Sequence, residues 1–86
     1  MQNQKHILNT NGQLGQILQA SRKANKWSQA QLAKKLGLSQ SRVSHLELHP
    51  EELSFAQLMN WCAVLGLELS IGMREVRPSQ SSKTDW

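Results

Sequence analysis

Ser39, Gln40, Ser41, Ser44 and His45 place five hydrogen-bonding side chains within seven residues, with Arg42 among them. A glutamine amide carries a donor and an acceptor side by side, the pattern that pairs with the N6 and N7 edge of adenine, and a serine hydroxyl can serve several bases. Arg42 can read guanine or hold a phosphate. Upstream, Gln29 sets a second amide at the start of a helical pattern, where it and the backbone N–H groups can face a phosphate. Ser28, Lys26, Lys34 and Lys35 add candidate phosphate contacts. The chemistry these types offer is recognition by hydrogen bonding and charge.

Short capped helices must position them. Ser28 is a good N-cap with Gln31 three residues on, and Trp27 and Leu32 are placed as a hydrophobic staple. Ala33 and Leu36 continue the inner face until Gly37, where a left-handed residue ends the helix. Ser39 caps the next helix, with Leu38 and Val43 as its staple. Val43 and Leu46 turn inward, which leaves Gln40, Ser41, Ser44 and His45 outward, and Pro50 closes the segment. Before this pair, a helix is expected from about Asn11 to Ala24, capped by Thr10 and Gln13, with Leu14, Ile17, Leu18 and Ser21 on one face. After it, Ser54 and Gln57 form another capping box, and a helix runs to about Leu65 and Gly66. Its inner stripe reads Phe55, Leu58, Cys62 and Leu65, widened by Met59 and Trp61.

The period then changes to two. Leu67, Leu69, Ile71 and Met73 alternate with Glu68, Ser70 and Gly72, as in a half-buried strand. One strand cannot satisfy its own backbone groups, so the expected partner is the same strand of a second copy, antiparallel across a two-fold axis. Trp61 is read as core or as part of that dimer interface. The fold class is therefore all-α, four to five helices, plus one C-terminal β-strand pairing across a dimer. The expected organisation is an N-terminal arm over 1–9, a DNA-binding and dimerisation domain over 10–77, and a polar tail over 78–86 ending in Trp86.

Charge is divided along the chain. Residues 1–46 hold seven cations (Lys5, Arg22, Lys23, Lys26, Lys34, Lys35, Arg42) and no acid, so they carry +7. Residues 47–86 hold three cations and six acids, so they carry −3, and the two halves give the net +4. A helix pair in a cationic half fits a surface that lies on phosphates. With 86 residues and a marginal core, a second subunit is a natural source of stability. A single cysteine excludes an internal disulfide framework. No apolar run approaches the ~20 residues of a membrane span, and the N-terminal MQNQKHILNTN is too polar for a secretory signal. The expected location is the cytoplasm, at the nucleoid, with no membrane partner. Scarce aromatics argue against a single-strand binder that stacks bases.

Apolar residues and a glycine turn at these offsets are the signature of a helix-turn-helix, whose second helix enters the major groove. The stretch KWSQAQLAKKLGLSQSRVSHLE resembles the helix-turn-helix of the Cro/C1 (XRE-like) repressors. With WSQ at 27–29, LAKKLG at 32–37, the SQSRVS helix, ELS at 68–70 and a terminal acid–Trp pair, the chain resembles the HipB-type antitoxins of that family. The resemblance implies a homodimer that binds a palindromic operator, represses its own operon and binds a HipA-like serine/threonine kinase toxin. It places DNA contacts at Gln29, Ser39, Gln40, Ser41 and Ser44, and makes Trp86 a partner-binding anchor, since a large aromatic can dominate a small interface. Ser41, Arg42 and His45 depart from the family's recognition helix, so the operator sequence does not carry over.

Plainer readings stand beside these. The helix pair could be a hairpin with a solvated polar face, or a protein-interaction module. The repressor could be of phage or housekeeping type with no toxin. An enzyme is not expected, because no paired carboxylates, nucleophile–base pair or phosphate loop can be assembled, and no cofactor is implied. His45 and His49 are four apart, but no third ligand joins them and Pro50 ends the helix, so no metal is expected. Cys62, in an apolar stripe, reads as a buried structural thiol. Arg74 and Arg77 read equally as solvated charges or partner contacts.

Overall fold

The computed structural model describes residues 6–73. Four α-helices follow one another: α1 (Asn11–Ala24), α2 (Gln29–Leu36), α3 (Gln40–Leu48) and α4 (Phe55–Leu65), with a 3-10 helix at Pro50–Glu52 between the last two. The expected arm lies partly within this range, and residues 6–9 form no regular element. The tail, Trp86, Arg74, Arg77 and Lys5 lie outside the described residues.

Each α-helix starts where a side chain satisfies free backbone N–H groups. Thr10, Ser28 and Ser54 accept from the N3 amide, and Gln13, Gln31 and Gln57 accept in return from the cap amide. Ser39 accepts from the Arg42 amide, but arginine has no acceptor, so α3 has the cap without the reciprocal bond. Gly37 ends α2 at φ 74° and Gly66 ends α4 at φ 81°, left-handed positions that glycine occupies without steric cost.

The core is Leu18, Leu32, Ala33, Val43, Leu46, Trp61 and Leu65. Half-buried Trp27, Leu38, Leu53 and Leu58 pack against it, in line with the staple positions beside the caps. α2 lies most extensively on α3, α1 crosses α3 and the 3-10 helix, and α4 closes against α1 and α2. At the α1–α3 crossing, a Cβ on Gly15 would stand 2.5 Å from the Glu47 carbonyl oxygen, so this approach requires glycine.

Three expectations are corrected. Phe55 is not in the inner stripe of α4; it is 66% exposed, while Trp61 is 1% exposed and takes the central place. At 100° per residue Phe55 lies only about 20° around the helix from buried Cys62, so its exposure comes from its place in the first turn of α4, ahead of the turns that carry buried Trp61, Cys62 and Leu65. Trp61 therefore has no surface to offer a second copy and is core. Arg22, counted among the surface cations, is buried in line with Leu18. The expected strand needs a second copy to pair with, and in the single chain no strand forms among the described residues. Leu67 and Leu69 are half-buried, with Leu67 packed on the core, while Ile71 and Met73 are fully exposed. A strand exists only through a ladder to a neighbour, and among the described residues no such ladder reaches 67–73.

Candidate nucleic-acid interface

The first turns of α2 and α3 come together through side chains. Gln40 Nε2 donates to Gln29 Oε1 at 2.8 Å. Gln29 Nε2 donates to Glu47 Oε1 at 3.0 Å. Glu47 accepts from Arg22, Nε to Oε2 at 2.7 Å and Nη2 to Oε1 at 3.2 Å, and Arg22 Nη1 donates to the Trp27 carbonyl at 3.0 Å. A continuous chain of hydrogen bonds thus runs from a buried ion pair to an exposed amide on α3. The Glu47 side chain has no exposure and that of Arg22 has 9%, so the pair is held inside the protein. No buried side-chain nitrogen or oxygen among the described residues lacks a partner.

Sequence reasoning missed Arg22 and Glu47. The available signal is a lone charge one turn beyond a buried apolar residue on each of two helices: Leu18 to Arg22 on α1 and Val43 to Glu47 on α3. Opposite charges on two inner stripes must meet or remain uncompensated. The first acid of the chain is thereby neutralised internally and subtracts nothing from the basic surface.

Ser39, Gln40 and Ser41 are exposed at the N-terminus of α3, with Ser39 Oγ and Ser41 Oγ 3.3 Å apart. Ser44, one turn on, is half-buried, and Gln29 is half-buried between Gln40 and Glu47. Neither α2 nor α3 has an acid in its first turn, so the positive ends of both helix dipoles are unopposed there. Ser28 is exposed and its Oγ accepts from the Gln31 amide. Its hydroxyl hydrogen remains to donate to a phosphate.

The cations are spread more widely. Lys26 is exposed at φ 63° in the turn before α2, and Arg42 is exposed on α3. Lys34 and Lys35 are exposed but lie in the last turn of α2, roughly one helix length, ~10 Å, from Gln29. Lys35 Nζ sits 4.6 Å from the centroid of the Trp27 ring, a cation–π contact. Trp27, Gln31, Lys34 and Lys35 line an open surface hollow there.

His45 differs from the other expected base readers. Its Nε2 lies 2.9 Å from Glu52 Oε1 in the 3-10 helix. This hydrogen bond, with charge from His45, His49 and Arg42, holds the Glu52 carboxyl below its ordinary range. His49 Nδ1 lies 3.4 Å from Glu51 Oε2. Burial pushes the Cys62 thiol up, as suits an unreactive interior sulfur.

A four-helix core with capped α2 and α3, a left-handed glycine between them and an acid-free reading end is a helix-turn-helix unit. A helix-turn-helix domain family matches residues 1–74, and the chain belongs to that family. It is similar to the antitoxin HipB of Escherichia coli strain K12, at 27% identity over 73 residues, covering 85% of this chain and 81% of that one. It is also similar to the antitoxin HipB of Escherichia coli O6:H1, at 30% identity over 59 residues, covering 69% of this chain and 63% of that one. Among solved structures, a HipB variant in an O2 20mer complex superposes with a TM-score of 0.74 at 25% identity, covering 84% of this chain and all, 100%, of that one. The HipA–HipB–O2–O3 complex gives 0.73 at 24% identity, covering 83% and 100%. Among the described residues no helix is long and apolar enough to cross a membrane.

Proposed function

We propose that this chain is an antitoxin and sequence-specific transcriptional repressor, which autoregulates a toxin–antitoxin operon and binds a HipA-like serine/threonine kinase toxin. The observation that carries the DNA half is the bond from Gln40 to Gln29, anchored through Glu47 on buried Arg22. An amide held in this way is pre-oriented before DNA arrives, so less rotamer entropy is lost on binding. Gln40 and Ser41, with Ser39 and Ser44, face base edges in the major groove. Gln29, Ser28, Lys26, Lys34, Lys35 and Arg42 hold the backbone. His45 reaches the groove only by leaving Glu52.

The operator is palindromic because the reader is doubled. In this reading Leu67, Leu69, Ile71 and Met73 pair with the same segment of a second copy. The full exposure of Ile71 and Met73 supports this, since pairing would cover them. Two copies of α3 would then enter successive major grooves roughly 34 Å apart. The body over 10–77 carries both tasks, with the arm over 1–9 and the tail over 78–86 outside it. The toxin half rests on the likeness to HipB antitoxins and to HipB in a complex with HipA. Trp86 is the proposed anchor for the kinase. The mechanism is binding, and the site of action is the cytoplasm at the nucleoid.

A gel shift with the DNA upstream of the chain's own operon tests the reading. Expected is saturable binding that weakens steeply with salt. Absent or salt-insensitive binding would overturn it.

A further inference from the structure

The end of α3 gathers donors that the sequence pattern did not bring together. We propose that His49, Glu51 and Glu52 form a site for one divalent transition-metal ion of the zinc class, with His45 swinging in beside Glu52 as a fourth ligand and linking the last turn of α3 to the 3-10 helix. The donor atoms of His49, Glu51 and Glu52 lie within 4.8 Å of one another. His49 Nδ1 and Glu51 Oε2 are 3.4 Å apart. A tetrahedron with metal–nitrogen and metal–oxygen bonds of about 2.0–2.2 Å has edges of about 3.3–3.5 Å, so this pair already spans one edge. His45 Nε2 and Glu52 Oε1, at 2.9 Å, need to separate by only a few tenths of an ångström to span another. The two imidazole rings are neighbours at the helix end, 4.8 Å between centroids and tilted by 33°.

Backbone structure fixes the spacing. Pro50 is buried, and Glu52 and Leu53 amides donate to the His49 and Pro50 carbonyls at 3.0 Å each, so the turn bearing both carboxylates is closed. The missing third ligand in the sequence pattern is supplied by this 3-10 turn, which reverses the chain so that Glu51 and Glu52 come back beside the histidines. All four residues are exposed, so an ion enters without opening the core. Two imidazoles with two carboxylates suit zinc, nickel or copper, whereas magnesium and calcium prefer all-oxygen sets. The two carboxylates balance the dication, and the ion replaces the hydrogen atoms now shared between each histidine and its glutamate.

The site shares only His45 with the DNA reading, and its test needs neither DNA nor toxin. Its test is a titration of the full chain with zinc chloride in competition with a chromogenic chelator, alongside imidazole NMR signals. Expected is one ion per chain, with a Kd on the order of micromolar, and shifts confined to the His45 and His49 rings. His49→Ala and Glu51→Gln should each weaken binding about tenfold or more, and His6→Ala should not. Circular dichroism checks that these exposed substitutions leave the helices intact. Saturation absent in the wild-type chain, or unchanged in the His45→Ala/His49→Ala double variant, would overturn the proposal.

Discussion

Gln40 on α3 donates to Gln29 on α2, and the same Gln29 amide donates onward to buried Glu47. One side chain therefore joins the proposed base reader to the protein interior. Gln40→Ala should lower operator affinity by about 1–3 kcal/mol and relax the preference at one base pair. Gln29→Ala should weaken binding too, by removing both a phosphate contact and the support of Gln40. Because the two act as a unit, the double variant should lose less than the sum of the singles. Fluorescence anisotropy at fixed salt measures all three, and strict additivity would show that the pair is not coupled.

The buried ion pair separates stability from recognition. Glu47→Ala leaves Arg22 charged and unpaired inside, at a cost of about 3–5 kcal/mol, visible as a lower denaturation midpoint. Replacing both partners by apolar residues, Arg22→Met with Glu47→Leu, should restore most of that stability. Operator affinity should stay reduced, because Gln29 has lost its acceptor. Full recovery of binding in the double variant would remove Glu47 from the recognition apparatus.

Salt dependence tests the basic face. If Lys26, Lys34, Lys35 and Arg42 each neutralise one phosphate in both copies, the slope of log K against log salt is about −7. Lys34→Gln should make it shallower by about 2, one contact from each copy. Lys35→Gln should change it less, since Lys35 is already engaged by the Trp27 ring.

Acid should act on the contact between α3 and the 3-10 helix. The Glu52 carboxyl sits below its ordinary value near 4.5, chiefly through its bond to His45. A depressed carboxyl stabilises the fold above its unfolded pKa, and that contribution is lost as pH falls through the lower folded value. Glu52→Gln should therefore flatten the acid limb of a plot of Tm against pH and leave the alkaline limb unchanged. An unaltered acid limb would show that the contact contributes nothing in solution.

The dimer and the tail have separate readouts. Ile71→Asp should give a monomer by light scattering, because a charge within the shared ladder would be desolvated. Deleting Trp86 should weaken capture of the kinase encoded beside this gene while leaving the gel shift intact. Equal capture by both chains would exclude Trp86 from that interface, and the lack of any such neighbouring gene would favour a repressor without a toxin.

Local chemistry made most of the helical frame legible. Ser28 with Gln31, Ser54 with Gln57 and Gly37 act over three or four residues, so their consequences follow from spacing alone. Which side chains α4 buries did not follow so directly. Phe55 and Trp61 are both large and apolar, and only the position of α1 and α2 decides which of them is covered. The 3-10 turn at Pro50–Glu52, which returns two glutamates to two histidines, was likewise not visible in a pattern that stops at the proline.

By itself, the sequence determined four capped helices, a cationic first half and the outward set Gln40, Ser41, Ser44 and His45, because caps, periodicity and charge are local properties. Only the tertiary structure decided that Arg22 is not a surface cation. It lies 25 residues from Glu47 in the chain, and no local rule pairs them. Two helices crossing closely at Gly15 bring the charges together where water is excluded, and there an unpaired charge costs about 3–5 kcal/mol. That same crossing fixes Gln29, and through it the side chain proposed to read the operator.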